Sequence, residues 1–223
     1  QGLKNNSRVT LINTNVWRSG KDYDANVTSV DFDLYDNNVD WNTWGQFAQS
    51  RLRGLPGQNP NSTGNMYYMA VGRFKGRFNF YLMRRYVDDK YDQGDLGYFT
   101  NNNYVTHSSY LAYKWVKPHG IYNNIYLNFN AQYSQLYKPR RYQDARINFN
   151  GNSQLKNLWV VGLNGDWRPG SNDFYEARIP GRVVKQPGSW MKGFFVNSNV
   201  AKKYRIEFEF YHRYSGRYIG SGM

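Results

Sequence analysis

Apolar and polar side chains alternate along much of the chain, most regularly between Ile125 and Leu155. Successive side chains of a β-strand point to opposite faces of its sheet, so this alternation predicts two strands joined by a turn, each with one apolar and one polar face. The apolar positions are Ile125, Leu127, Phe129, Ala131, Tyr133, Ala145, Ile147 and Phe149. The positions between them are mostly Asn, Gln and Arg.

The same reading predicts eleven strands and no helix, since no window keeps an apolar period of about 3.6 residues over three turns. The chain contains no linker-like tract, and we predict a single domain over residues 1–223. The predicted strands are 8–18, 23–35, 41–53, 66–74, 78–87, 103–116, 121–136, 144–155, 157–167, 189–200 and 203–214.

Long and short connections between these strands largely alternate. The long set is 54–65, 88–102 and 168–188, with 139–143 intermediate and 20–22 the exception. In an up-and-down meander, alternate connections lie at the same end of the sheet. Long loops at one end and tight turns at the other are typical of outer-membrane β-barrels, whereas a Greek-key sandwich has no reason to keep this parity. Most strands also have about 10 residues or more, enough to cross a membrane.

Composition narrows the classes of protein. The mean hydropathy is −0.82, and no run of about 18 apolar residues exists, which excludes a transmembrane helix but not transmembrane strands. The 223 residues include 21 Tyr, 7 Trp and no Cys, so disulfide and thiolate chemistry are excluded. The net charge of +13 suits nucleic acid or a phosphate-rich lipid surface. Basic pairs lie at segment ends and no nucleic-acid motif is present, which favours lipid or lipopolysaccharide as the partner.

Two interpretations of the faces remain at this point: a soluble sandwich with the polar face outside, or a membrane barrel with the polar face inside. The abundance of Asn, Gln, Arg and Asp on the polar face favours the barrel. Its candidate lumen-lining residues are Asn128, Asn130, Gln132, Arg146, Asn148, Asn150, Arg205, Glu207 and Glu209. Its candidate lipid-facing residues are Ile125, Leu127, Phe129, Ile147, Phe149, Ile206, Phe208 and Phe210.

Aromatic residues near strand ends support a membrane interface, where Trp and Tyr are enriched. The candidates are Trp17, Trp115, Trp159 and Trp190, together with Trp44 and Trp167. The competing interpretation of each is an ordinary packed core aromatic.

The chain shows no constellation that indicates catalysis or a cofactor. His107, His119 and His212 are scattered, which argues against a zinc site, and no nucleophile-elbow motif accompanies Ser108 or Ser109. The acidic segment 88–95 suits either calcium binding or turn formation, and its spacing is not that of an EF-hand. We therefore predict no catalytic residues, no metal and no cofactor.

Three segments carry a family resemblance: Val27–Leu34, Gln93–Tyr98 and Tyr113–Ile121. They resemble the C-terminal barrel domain of a Bacteroidetes outer-membrane family of unknown function, which typically follows a carbohydrate-binding-module-9-like domain. The resemblance implies a membrane barrel and a link to glycans, and it assigns no functional residue. The chain departs from the pattern, since it lacks the preceding domain and its last residues, Tyr218–Met223, lack a terminal aromatic.

These observations together predict an antiparallel up-and-down transmembrane β-barrel in the outer membrane of a Gram-negative bacterium. We expect a structural or transport-related component of an envelope assembly, linked to glycan uptake, and no enzyme. Eleven is an odd strand number, so we expect a piece of a larger barrel or a subunit whose edges other outer-membrane proteins cover. The alternative is a soluble all-β carbohydrate-binding module.

Overall fold

A computed structural model describes residues 4–20, 22–57, 60–179 and 181–216. The described chain is almost entirely β-structure, with two single-turn 3₁₀ helices at Lys4–Asn6 and Gly94–Leu96. The strands are β1 (Arg8–Val16), β2 (Asp24–Tyr35), β3 (Trp41–Arg53), β4 (Asn61–Arg73), β5 (Phe78–Val87), β6 (Tyr104–Trp115), β7 (Tyr122–Leu136), β8 (Tyr142–Leu155), β9 (Val160–Arg168), β10 (Ser171–Asp173), β11 (Val184–Gln186), β12 (Ser189–Asn197) and β13 (Glu207–Ser215).

The predicted antiparallel up-and-down arrangement is confirmed. Eleven strands pair in the order β1 to β9, then β12 and β13, while β10 and β11 form a separate two-stranded ribbon. Within the described residues, β1 and β13 are the two ends of this order, and the sheet is not closed into a barrel. None of the helical segments described has the length and apolar character needed to cross a membrane.

Two strand boundaries differ from the prediction in informative ways. Strand β4 begins at Asn61 rather than at residue 66, because the polar segment Asn61–Asn65 pairs with β3 without any apolar alternation. Strand β13 begins at Glu207 rather than at residue 203, so Arg205 and Ile206 precede the strand. In the turn before it, the backbone N–H of Lys202 donates to the carbonyl oxygen of Asn199 at 3.2 Å.

Contacts group the chain into two compact units. Unit 1 comprises residues 1–74, 82–107 and 134–142. Unit 2 comprises residues 75–81, 108–133 and 143–223.

The strand register of unit 1 assigns each side chain to a face. Phe32, Phe47 and Tyr67 belong to one face, through the pairs Phe32–Gly45, Val30–Phe47 and Phe47–Tyr67. Ala48 and Ser29, which pair across β2 and β3, belong to the opposite face. Met66 pairs with Ala48 from β4 and lies on that face as well. Most residues on this second face are small or polar.

Glycines on one strand make room for aromatic rings from the next. A Cβ added to Gly45 would lie 2.7 Å from the ring of its partner Phe32, one added to Gly162 would lie 2.1 Å from Phe195, and one added to Gly193 would lie 2.3 Å from Tyr211. Each aromatic ring therefore covers a site where the neighbouring strand has no side chain, a device that fixes strand register.

The long connection after β5 folds back over the second face of unit 1. Tyr91 is only 1% exposed and packs against Ala48 and Val87, with Val27, Met66, Phe99 and Tyr104 around them. Asp88 fixes the start of this segment, since its carboxylate accepts hydrogen bonds from the backbone N–H groups of Asn65 at 2.7 Å and Tyr91 at 2.7 Å. We refer to residues 88–103 as the covering loop.

Gly64 leaves the space that the covering loop occupies. A Cβ at this position would lie 2.1 Å from the backbone nitrogen of Tyr91. We expect Gly64→Ala to open the covering loop, since overpacking of a rigid contact costs about 1–3 kcal/mol. Limited trypsin cleavage after the exposed Lys90 measures this opening, which we expect to accelerate about tenfold. Gly165→Ala is the matched control, since nothing lies within 4 Å of a Cβ there, and equal cleavage of both variants contradicts the prediction.

Candidate functional site

The apolar face of unit 1 is turned to the exterior of that unit. Along β3, Phe47 is 50% exposed, whereas its neighbour Ala48 is 5% exposed and Ser50 is 1% exposed. A water-soluble sandwich buries its apolar side chains between sheets, so this pattern is the inverse of the usual one. The exposed apolar side chains of this face are Val9, Leu11, Val30, Leu34, Phe47, Met69 and Val71.

Polar groups limit this apolar surface toward the end that carries the long loops. On the same face of β1 and β2, Asn15 donates to the side chain of Asn13 at 2.6 Å, and Asn26 donates to that of Asn15 at 2.6 Å. On β3 and β4, Gln49 donates to Asn65 at 3.0 Å. These amides are not among the residues predicted to line either face, although the period-two rule places them on the apolar face of their strands. The apolar surface is therefore a band and does not extend over the whole face.

Trp41 lies at the other end of this band and is exposed. Its partner across the β3–β4 pair is Arg73, on the same face. An aromatic and a basic residue side by side at a strand end is the combination favoured at a membrane interface. Trp41 was not among the predicted interface residues.

Unit 2 exposes a second apolar surface. By register, Leu163 on β9 lies beside Phe194 on β12, which lies beside Phe210 on β13. Leu163 is 59% exposed, and Phe194 and Phe210 are also exposed. An aromatic row crosses the same face near the long-loop end, in which Trp190 pairs with Trp167 and Tyr214. The rings of Trp190 and Tyr214 are stacked at 6.1 Å.

The opposite face of unit 2 carries an interlocked set of amides. The Asn150 side chain donates to Asn128 at 3.0 Å and to Asn148 at 2.6 Å. Asn130 also donates to Asn148, at 3.2 Å. Two amides from β7 thus bond two from β8, which holds the strands in register and gives these polar groups partners across the strand pair.

An ion pair continues this polar face on the β9 side. Arg146 Nε lies 2.5 Å from Asp166, and Arg168 Nε lies 3.3 Å from the other carboxylate oxygen of Asp166. Arg146 is thus paired with a carboxylate on the neighbouring strand. On this part of the face, two guanidinium groups lie beside one carboxylate.

The predicted lumen-lining residues share one face of unit 2, except for one. Gln132 lies on β7 at the same parity as Asn128 and Asn130, so it shares their face. Glu209 pairs with Phe195, and Phe195 pairs with Gly162. These two pairs place Glu209 on the same face as the amides. Glu207 follows the same parity. Arg205 lies outside the strand, so its face is not fixed by pairing.

The predicted lipid-facing residues on strands lie on the other face. Ile147, Phe149, Phe208 and Phe210 are all exposed on the apolar side, and so is Phe129 on β7. Ile125 and Leu127 are half-buried. Ile206 is exposed but precedes β13, and its backbone N–H donates to the Ser198 hydroxyl at 2.7 Å.

The predicted interface aromatics lie at or next to strand ends, except for Trp44, which is the fourth residue of β3 and shares the polar face of Asp33. Trp17 follows β1 and is strongly exposed, while Trp190 is the second residue of β12. Trp115 ends β6, and Trp159 directly precedes β9. The first two are at the long-loop end of their strands and the last two are at the short-turn end. Whether they meet lipid stays a prediction.

The covering loop is fastened to the first hairpin of unit 1 by an ion pair. The guanidinium of Arg18 contacts the carboxylate of Asp95 and lies over the ring of Tyr23 at 4.6 Å. The Tyr23 hydroxyl donates to Asp95 at 3.1 Å, and this hydrogen bond to a carboxylate raises the pKa of Tyr23. The Asp92 carboxylate accepts a hydrogen bond from the backbone N–H of Gly94 at 2.8 Å. The acidic segment therefore acts in turns and anchoring, and in the described residues it forms no group of three carboxylate or imidazole ligands.

The histidines have structural surroundings. His119 forms an isolated bridge with Tyr122, and His212 packs edge-on against Trp190 at 5.0 Å. His107 lies within β6.

The comparisons with known proteins assign a family and no activity. A family model described as a domain of unknown function, DUF5916, matches residues 1–218, so the chain belongs to that family. No curated protein and no solved structure shows significant similarity to the chain.

Alkaline pH is expected to release the covering loop through Tyr91. Burial raises the pKa of Tyr91 to about 12 from the ordinary value of 10.0. Because the folded pKa lies above the unfolded one, the stability contributed by neutral Tyr91 is fully present below about pH 10 and is lost as the pH rises toward about 12. A spin label on Tyr98→Cys, at a strongly exposed position of the loop, is expected to become more mobile at pH 11 than at pH 8.

Tyr91→Phe provides the control for this measurement. It keeps the buried ring and removes both the titrating hydroxyl and its 2.7 Å hydrogen bond to Gln93. The label on this variant is expected to show a smaller change in mobility between the two pH values. An identical alkaline response in both proteins contradicts the assignment to Tyr91.

Proposed function

We propose that the chain forms part of a transmembrane β-barrel in the outer membrane of a Gram-negative bacterium. The exposed apolar faces contact lipid, and the polar faces line the interior. Its role is that of a structural or transport-related component of an envelope assembly, linked to glycan uptake. The observation that carries this proposal is the inverted burial along β3. Phe47 is exposed on one face, whereas Ala48 and Ser50 are buried on the other.

The energetics of apolar surface favour lipid as the occupant of these faces. Each Å² of apolar surface removed from water contributes about 25 cal/mol, and soluble monomers rarely expose contiguous apolar patches beyond a few hundred Å². Unit 1 and unit 2 each expose apolar side chains from at least three neighbouring strands. Acyl chains cover such a surface without requiring a specific shape.

The distribution of polar groups supports the same proposal. Outer-membrane strands alternate between apolar outward and polar inward residues, and aromatic girdles flank the apolar band. Trp41 in unit 1 and the row of Trp167, Trp190 and Tyr214 in unit 2 supply such aromatics. The bonded amides of β7 and β8 suit an interior in which each polar group needs a partner.

The edge strands add a requirement. Lipid cannot satisfy the free backbone N–H and C=O groups of a strand edge. The proposal therefore needs β1 and β13 to be covered by further strands or by other outer-membrane proteins.

Single-cysteine labelling tests the proposal, because the chain contains no native Cys. A nitroxide on Phe47→Cys or Leu163→Cys, in the protein reconstituted into phosphatidylethanolamine and lipopolysaccharide vesicles, is expected to collide with lipid-soluble oxygen and to be shielded from an aqueous nickel chelate. Gln46→Cys and Asn164→Cys are the matched controls for Phe47→Cys and Leu163→Cys. Each control residue is the sequence neighbour of the labelled residue and lies on the opposite face of the same strand. They are expected to be less accessible to oxygen.

Two outcomes contradict the proposal. One is equal oxygen and nickel accessibility at all four labels. The other is a protein that is monodisperse in buffer without detergent, with Phe47 and Leu163 labels open to the nickel chelate. The second outcome favours a soluble β-module.

A further inference from the structure

The polar face of unit 1 contains a cavity away from the covering loop. It has a volume of about 610 Å³ and lies at the short-turn end of β1–β4, a size typical of ligand pockets, which span roughly 300–1,000 Å³. Its polar side chains come from three adjacent strands, and its aromatic side chains include Trp44 and Tyr68. The lining residues include Arg8, Asp31, Asp33, Asn42, Trp44 and Tyr68.

The strand register explains why these side chains converge. Asp33 pairs with Arg8 on β1 and with Trp44 on β3, so all three share a face. Asp31 lies two residues before Asp33 on that face. Asn42 lies two residues before Trp44, and its side chain donates to Asp33 at 2.8 Å.

Two acceptors in this cavity have no partner among the described residues. Asn42 is 7% exposed, and its Oδ1 accepts no hydrogen bond. Asp31 Oδ1 is likewise buried and without a donor. Burying a polar atom without a partner costs about 1–3 kcal/mol. A molecule that brings hydrogen-bond donors to both oxygens recovers that cost, so these two acceptors favour a donor-rich ligand.

The charged groups of the cavity accept a neutral ligand that donates hydrogen bonds. Arg8 Nε lies 3.8 Å from the Asp33 carboxylate, so that carboxylate already faces a cation. Hydroxyl groups can then donate to the Asp31 carboxylate and to the Asn42 amide oxygen without bringing a second cation near Arg8. Because the Asp31 carboxylate also attracts cations, a diamine is the comparator that decides between the two classes of ligand.

The aromatic lining identifies the apolar part of the ligand. The rings of Trp44 and Phe74 lie 5.8 Å apart at the cavity, and Tyr68 lines it from β4. Aromatic rings offer flat apolar surfaces. Sugars combine such a requirement with hydroxyl donors, because their C–H faces are apolar and their rims are polar.

We infer that this cavity binds a neutral oligosaccharide, with hydroxyl groups donating to Asp31 and Asn42 and a sugar ring lying against the aromatic lining. The inference concerns the polar face and does not depend on lipid contact at the apolar face. The two can therefore fail separately.

Saturation-transfer NMR and calorimetry on the whole chain in detergent test the inference. The probes are maltose, cellobiose and lactose, with putrescine and inorganic phosphate as the charged comparators. At least one disaccharide is expected to bind more tightly than either comparator. Asp31→Asn, which keeps the shape and removes the charge, and Trp44→Ala are each expected to weaken that disaccharide roughly tenfold, the loss of about one hydrogen bond or one ring contact.

Thr43→Ala is the matched control, because Thr43 lies between Asn42 and Trp44 on the opposite face of β3. It is expected to leave the affinity unchanged. The inference is overturned if no disaccharide binds, if putrescine or phosphate binds more tightly, or if Thr43→Ala weakens binding as much as Asp31→Asn. Oxygen accessibility at a Phe47→Cys label, measured on the same preparation, reports separately on the lipid-facing proposal.

Discussion

The period-two alternation of the strands is the constraint on which the rest of this structure depends. Because neighbouring side chains point to opposite faces, Phe47 and Ala48 experience different surroundings although they are adjacent in sequence. In unit 1 the exposed face carries most of the large apolar residues, and most residues of the buried face are small or polar. A slip of one residue in the β2–β3 pairing would exchange those surroundings. Contacts that fix the register, such as the ring of Phe32 over Gly45, therefore keep the two faces distinct.

A buried face made of small residues needs another element to fill the space above it, and the covering loop does this over part of unit 1. Tyr91 supplies the volume that Ala48, Ser50 and Gly64 lack. The Arg18–Asp95 ion pair and the Asp88 carboxylate fix the loop at both sides of that ring. Where the loop ends, toward the short turns, the same face is open and forms the cavity that contains Asn42. The filled and open parts of the polar face are thus consequences of one loop of limited length.

Alternation in the sequence predicts the eleven strands of the main sheet, but it misses the short ribbon of β10 and β11, which lies in the predicted loop 168–188. The predicted bounds of β5 are the observed ones, whereas the prediction places Asn61–Asn65, at the start of β4, in a loop because this segment contains no apolar residue. The contact of Tyr91 with Gly64 joins positions far apart in sequence, and no local pattern indicates it. No local sequence pattern indicates the cavity either, since Arg8, Asp33 and Asn42 are brought together only by the pairing of three strands.

The amides of the two units show that residue type alone does not define a face. In unit 2, Asn128, Asn130, Asn148 and Asn150 bond one another on the side opposite the apolar surface. In unit 1, Asn13, Asn15 and Asn26 form a similar set on the apolar side, near the long-loop end. The first set bonds β7 to β8 on one face of the sheet, and the second limits how far the apolar band extends along the strands. In a membrane barrel, that limit corresponds to the level at which the strands leave the acyl chains and enter the polar headgroup region. The position of the amides along a strand, and not only their parity, therefore distinguishes the two sets.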